Sequence, residues 1–183
     1  MSEITTLYPR QPVPSLDLPL VGGGTWSLAE QKPENFTMVV FYRGYHCPIC
    51  SRYLGDLNRK ANQFKGKGVN IIVASSDEEE RGNLAKEEWG LDQLYVAYGV
   101  TLEKGREWGL FISTSIGKTG AGVIEPDMFI EPGLYMVRPD GTLYFGTVQT
   151  MPFARPSFAE ILNALGMVLE RDYPARGEVL SMA

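Results

Sequence analysis

Phe36-Thr37-Met38-Val39-Val40-Phe41-Tyr42-Arg43-Gly44-Tyr45-His46-Cys47-Pro48-Ile49-Cys50 is the stretch that decides how this chain of 183 residues is read. Its first half, Phe36 to Tyr42, is a dense apolar run around Val39, Val40 and Phe41, the composition of a strand buried on both faces. Its second half holds the only two cysteines of the chain, spaced as Cys-x-x-Cys. Directly after them Ile49, Tyr53, Leu57, Ala61 and Phe64 recur at helical spacing, and Gly66 stops the pattern. Cys47 is thus expected at the start of a helix, facing unpaired N–H groups and the positive end of the helix dipole. A free thiol with a pKa of roughly 8.5 is only a few per cent thiolate at neutral pH, and a pKa lowered to about 6 makes it mostly thiolate. Cys50 lies one turn further on, within reach to close a disulfide.

Outward from this core, residues 8–35 are rich in Pro and Gly. Leu16-Asp17-Leu18 and Thr25-Trp26-Ser27-Leu28 flank a Gly22-Gly23-Gly24 turn, which predicts an amino-terminal β-hairpin. Val69 to Ala74 is a second buried strand. Ser75-Ser76-Asp77-Glu78-Glu79 reads as an N-cap with acids in the first turn of a helix ending near Trp89. Leu94 to Val100 predicts a short strand and Leu102 to Trp108 a short helix. Residues 111–130, dominated by Ser, Thr and Gly, are expected to form an insertion or lid-like loop. Gly133 to Arg138 and Thr142 to Val148 are joined by Pro139-Asp140-Gly141, a strong hairpin signal. Ser157 with Glu160 three residues on caps a last helix, whose apolar face is Phe158, Ile161, Leu162, Leu165, Val168 and Leu169. Alternating strands and helices imply a parallel βαβ unit with a right-handed crossover, completed by the antiparallel hairpin. The expected architecture is α/β in a single domain over residues 1–183: a mixed sheet flanked by helices.

Composition narrows the function. Apolar content of 44% and charged content of 21% describe a folded globular chain. A net charge of −5 leaves no electrostatic footprint for nucleic acid or an anionic membrane. The first residues, Met1-Ser2-Glu3-Ile4-Thr5-Thr6-Leu7, show no basic region followed by an apolar stretch, so no signal peptide is read. Two nearby cysteines in an unexported chain fit the reducing cytoplasm, where such a pair is more often catalytic than structural. The bland readings are two small buried residues or half of a zinc site. A tetrahedral zinc site needs four ligands, and beyond carboxylates the chain offers two Cys and one His, with His46 adjacent to Cys47 and poorly placed to share a metal with it. No metal and no cofactor are expected.

Three other residues are candidates for tuning the thiols. His46 either adjusts the thiolate or shapes the entrance. Arg43, if the strand ends near Tyr42, either lies near the thiolate or pairs with a surface acid. Arg155, in Met151-Pro152-Phe153-Ala154-Arg155-Pro156, either reaches the site or pairs with acids around Asp127. Gly117-Lys118-Thr119 has the ending of a phosphate-binding loop without its earlier Gly, and is read as coincidence. Trp26, Trp89 and Trp108 are read as core or edge aromatics.

The element order, with Cys-x-x-Cys at the first strand–helix junction, resembles the thioredoxin fold. The amino-terminal hairpin and the insertion before the last hairpin are more similar to its peroxiredoxin branch, the alkyl hydroperoxide reductase and thiol-specific antioxidant family. Phe41-Tyr42-Arg43-Gly44-Tyr45-His46-Cys47-Pro48-Ile49-Cys50 resembles a subgroup with Tyr-Arg-Gly before Cys-Pro-x-Cys, and the similarity runs from about residue 12 to residue 173. The resemblance implies that Cys47 is the attacking cysteine and Cys50 the resolving one. It also implies that Glu131-Pro132, before the strand Leu134-Tyr135-Met136-Val137, is a cis-proline facing the cysteine pair, which makes Pro132 a supporting residue.

Two departures stand beside the resemblance. Typical peroxiredoxins carry Pro-x-x-x-Thr/Ser-x-x-Cys, and the first two slots here hold Val40 and Gly44. They also carry an Arg at the start of the strand after the insertion, where this chain has Glu131 and Pro132. Those missing donors polarise the O–O bond as charge develops on it. The implied function is a thiol-dependent redox enzyme reducing disulfides or hydroperoxides at the expense of a thioredoxin-like or low-molecular-weight thiol, with a homodimer compatible and no nucleic acid or membrane partner. The alternative is a redox-inactive binding or sensor module on the same fold.

Overall fold

The computed structural model describes residues 3–182. Its centre is a five-stranded mixed sheet built on β3 (Phe36–Phe41), all six residues of which are buried, as its apolar density demands. On one side β3 pairs in parallel with β4 (Val69–Ala74), which pairs in parallel with β5 (Tyr95–Ala97). On the other side it pairs antiparallel with β8 (Gly133–Val137), whose hairpin partner β9 (Leu143–Val148) forms the edge. The hairpin turn is held by Asp140, whose carboxylate accepts from the Thr142 amide at 2.9 Å.

Alternation along β3 sorts two cores onto the two sheet faces. Phe36, Met38, Val40 and Tyr42 point to the face covered by α1 (Pro48–Lys65) and α4 (Phe158–Arg171), packing with Leu54, Leu57, Phe64, Phe158 and Leu165. Val39 and Phe41 point to the opposite face, against Leu16, Trp26, Trp108, Leu110 and Ile130. That second face is covered by the hairpin of β1 (Asp17–Pro19) and β2 (Thr25–Ser27), a short 3-10 turn at Leu28–Glu30, and α3 (Leu102–Glu107). Ser157 caps α4 as its spacing predicts, accepting from the Glu160 amide. Among the described residues no helix is long and apolar enough to cross a membrane.

Two expectations are corrected. Residues 111–130 are not a loose lid. They fold as a hairpin of β6 (Ile112–Thr114) and β7 (Met128–Ile130), closed toward its tip by a bridge between Lys118 and Ile124. The helix α2 (Glu79–Glu88) starts later than expected and has Glu78 at its N-cap with no side-chain cap bond. Asp77, expected among the capping acids, is buried instead, because its carboxylate turns inward to the backbone of Tyr45.

Candidate active site

The parallel pairing of β3 with β4 brings the carboxyl ends of both strands side by side, the position where α/β sheets present their ligand crevices. From that end of β3 the chain makes a short turn and enters α1. Cys47 is the N-cap of α1, with extended backbone, and Pro48 occupies the first helical turn, where its missing N–H costs nothing. The Cys47 sulfur accepts the Cys50 amide at 3.2 Å, so the sulfur itself satisfies one of the helix's orphan donors. Both thiols are free. Although it stands at the very start of α1, Cys47 is 1% exposed, and Cys50 0%.

The two thiols are nevertheless unequal. Cys47 is lowered to about 6: hydrogen bonding from the Cys50 thiol is the largest cause, burial works against it, and the Cys50 amide, Arg155 and Arg43 add to it. Burial, then the neighbouring Cys47 sulfur, push Cys50 well up. A thiolate at 47 beside a thiol at 50 is therefore the stable reduced form at neutral pH.

Arg155 is brought to the pair rather than to surface acids. Its Nη2 donates to the Cys50 sulfur at 3.0 Å and stands 3.9 Å from that of Cys47. It arrives on a strained segment, with Ala154 at φ 58°, and its guanidinium lies 4.9 Å over the Tyr53 ring. Tyr53 completes the clamp by donating its hydroxyl to the Pro156 carbonyl at 2.8 Å. Arg155 Nε and Nη1 are buried with no hydrogen-bond partner among the described residues. Their donor capacity is left unused by the described residues.

Arg43 is close enough to act on Cys47 electrostatically, but its charge is shared. It stands 3.2 Å from Glu131 and 3.5 Å from Glu125, with its guanidinium 4.7 Å over Phe129. The Arg43 Nε–H is not aimed at the nearer Glu131 oxygen, so that contact is an ion pair without hydrogen-bond geometry. Ser113 donates to the other Glu131 oxygen at 2.6 Å, and the Ile116 amide donates to Glu125 at 2.8 Å. Arg43 thereby pins the β6–β7 hairpin against the turn.

His46 is fully buried against Phe129, ring centroids 4.6 Å apart, and neither ring nitrogen has a partner among the described residues. Burial lowers its pKa to about 4, with Arg43 and Arg81 adding to the effect, so the ring is neutral. His46 is thus part of the packing, not of the entrance. Pro132 is not shaped as expected. With Phe41 paired to Gly133, the register carries Pro132 to the level of Tyr42, yet no cis peptide bond occurs among the described residues. Trans is the default isomer of an X–Pro bond, and in that form the Pro132 carbonyl continues the β8–β9 ladder, accepting from the Gln149 amide at 3.0 Å.

Sequence reasoning passed over Tyr53, Glu125 and Asp77. The signal for Tyr53 was its spacing, three residues after Cys50 on the same face of α1. Asp77 and Glu125 lie on other loops and carry no local signal.

A thiolate at a helix N-terminus at the end of the central strand of such a sheet defines a thioredoxin-fold thiol protein. The sequence profile described as the AhpC/TSA family matches residues 9–145, and the chain belongs to that family. Peroxiredoxins are thiol peroxidases, and the chain is accordingly an oxidoreductase. A protein bearing a peroxiredoxin name in two strains of Mycobacterium tuberculosis is 26% identical over 136 residues, covering 72% of this chain and 83% of that protein. Among solved structures, the fold is similar to peroxidoxin BcpB from Mycobacterium tuberculosis (TM-score 0.69, 15% identity, 89% of this chain and 99% of that one). It is also similar to the reduced 2-Cys peroxiredoxin of Plasmodium vivax (TM-score 0.71, 14% identity, 90% and 98%).

Proposed function

We propose that this chain is a dithiol peroxidase in which Cys47 attacks and Cys50 resolves. The Cys47 thiolate takes the terminal oxygen of a hydroperoxide, the O–O bond breaks, and the alkoxide or hydroxide leaves with a proton from solvent. Cys47 becomes a sulfenic acid. Cys50 then attacks that sulfur, water leaves, and the Cys47–Cys50 disulfide forms. Two equivalents of an external thiol, from a thioredoxin-like protein or a small molecule, restore the dithiol. The observation that carries the reading is the guanidinium of Arg155, bonded to one sulfur and 3.9 Å from the other, with two unpartnered N–H groups beside a thiol lowered to about 6. Arg155 supplies from the α4 side the donors that the resemblance places at 131 and 132. Arg43 and His46 support the turn, and Pro132 lines the neighbouring strand end.

A second reading, disulfide reduction, is favoured by the spacing of the pair. Cys-x-x-Cys at a helix start lets Cys50 reach a mixed disulfide on Cys47 directly. The cytoplasm is the compartment that would keep the pair reduced, the single domain 1–183 the working unit, and a homodimer a compatible assembly.

Single-turnover oxidation separates the readings. The reduced protein is mixed with hydrogen peroxide or with a small disulfide, and thiol loss and products are followed by stopped flow and mass spectrometry. Faster oxidation by peroxide, ending in one intrachain disulfide per chain, is the expected result. Faster oxidation by the disulfide favours the second reading, and oxidation by neither leaves a redox-inactive module.

A further inference from the structure

Between the last residue of β3 and the N-cap of α1 the chain has only Tyr42, Arg43, Gly44, Tyr45 and His46 in which to set the direction of the Cys47 sulfur. Within that turn the Cys47 amide donates to the Gly44 carbonyl at 3.1 Å. The next amide, that of Tyr45, donates not to the turn but to Asp77 Oδ2, at 2.7 Å. Asp77 is itself fixed at both backbone ends. Its amide donates to Ser75 Oγ at 3.3 Å, and its carbonyl accepts from Gly99 at 2.8 Å, tying it between the ends of β4 and β5. The carboxylate is buried, and Oδ1 has no hydrogen-bond partner among the described residues.

Gly44 makes this contact possible. Its φ is +140°, and a Cβ there would stand 2.7 Å from Asp77 Oδ1. The slot where the family pattern places a hydroxyl-bearing side chain is thus the space into which Asp77 reaches. The remaining grips on Tyr45, its hydroxyl bond to Glu88 and its stacking on Trp89, hold the ring at the surface rather than the backbone.

We propose that Asp77 is a positioning residue for Cys47: by accepting the Tyr45 N–H it fixes the turn that aims the sulfur at the Cys50 amide and at Arg155. The inference rests on the reading of Cys47 as the reactive thiol. Its sign is opposite to that of charge removal alone. Losing a negative charge, at whatever distance, can only ease formation of the thiolate. Removing the acceptor that aims the sulfur should make it harder, because Cys47 then loses partners that stabilise its charge.

The test is the pH dependence of Cys47 alkylation by iodoacetamide in the reduced full chain, for the unaltered protein, Asp77→Ala and Asp77→Asn, with the site read by mass spectrometry. The unaltered protein should titrate near 6. Asp77→Ala should move the midpoint up by about one unit, a roughly fivefold slower reaction at pH 6. Asp77→Asn keeps an oxygen acceptor and should leave the midpoint unchanged or lower. A midpoint unmoved or lowered in Asp77→Ala, or raised equally in Asp77→Asn, overturns the proposal. If Asp77→Ala does not yield folded protein, Asp77→Glu, which displaces the oxygens by one methylene, carries the same expected rise and the same overturning result. An unaltered protein that titrates as an ordinary thiol would instead count against the functional reading of Cys47.

Discussion

Replacing Arg155 by Met removes the guanidinium while keeping an apolar stem to cover the Tyr53 ring. The magnitude follows from the distance. At 3.9 Å from the Cys47 sulfur, two unit charges at an effective dielectric of about 20 attract by about 4 kcal/mol, an upper limit of three pKa units. Arg155 as a residue is only half-buried, so solvent screens part of this. The stronger contributions, hydrogen bonds from the Cys50 thiol and amide, survive the substitution. The expected rise is about one unit, from about 6 to roughly 7. At pH 6 the thiolate fraction then falls from about half to about a tenth, and alkylation of Cys47 slows about fivefold. Above pH 8 the two proteins should react alike, because Cys47 is then ionised in both. Peroxide oxidation should fall by more than alkylation, about two orders of magnitude, since the variant also loses the donors facing the O–O bond. Alkylation and peroxide rates both unchanged across pH 5–9 would refute the assignment of Arg155. Equal losses in the two reactions would leave it a role in ionisation alone.

Cys47→Ser should abolish turnover, whereas Cys50→Ser should accumulate a sulfenic acid or mixed disulfide on Cys47, detected by dimedone labelling and mass spectrometry. Equal alkylation of the two cysteines at pH 7 would reverse that order. Because His46 binds a proton in the unfolded chain near 6.5 but in the folded one only near 4, stability should fall as pH drops through that window, by about 3 kcal/mol in all. His46→Leu should flatten that part of the urea-measured profile without slowing alkylation. Arg43→Met should strip the cation from two buried carboxylates, lowering stability by about 3 kcal/mol and raising amide exchange across residues 112–130. Gly44→Thr, which restores the family's hydroxyl, should destabilise the chain by about 2 kcal/mol and give no faster peroxide reaction, because the new Cβ meets Asp77 at a strained backbone position.

How far the fold could be read in advance depended on whether local pattern and tertiary environment agreed. The strand Phe36–Phe41 and the helix Pro48–Lys65 were plain, because burial on both faces and a single apolar stripe leave periodic marks. The β6–β7 hairpin left none. Its strands are three residues each, and what holds it is not its own pattern but Arg43, reaching from another element to Glu125 and Glu131. Asp77 was misread for a related reason: an acid before a helix is statistically a cap, and only the Tyr45 amide reverses its direction. At the site, the placing of both sulfurs at the start of α1 followed from one motif. Which arginine would serve the thiols did not, because Arg155 lies 108 residues from Cys47 and its placement depends on Tyr53. The bond before Pro132 keeps the default trans isomer of an X–Pro pair.

The sulfur that caps α1 ties the electrochemistry of the pair to the stability of a helix end. As a thiolate, Cys47 offers the Cys50 amide a full charge; once bonded to Cys50 the same atom is neutral and a weak acceptor. Oxidation therefore removes both the helix cap and the partner of Arg155, and these losses fall on the oxidised form alone. A couple whose reduced member is selectively stabilised has a less negative reduction potential, by about 30 mV for each 1.4 kcal/mol. A cap is worth about 1 kcal/mol before the charge is counted, so the arrangement shifts the potential by tens of millivolts toward the oxidising end. Under the function proposed above, the direction suits an enzyme that hands its disulfide to an external thiol after each turnover, because the contacts proposed to make Cys47 reactive would then help to drive its return.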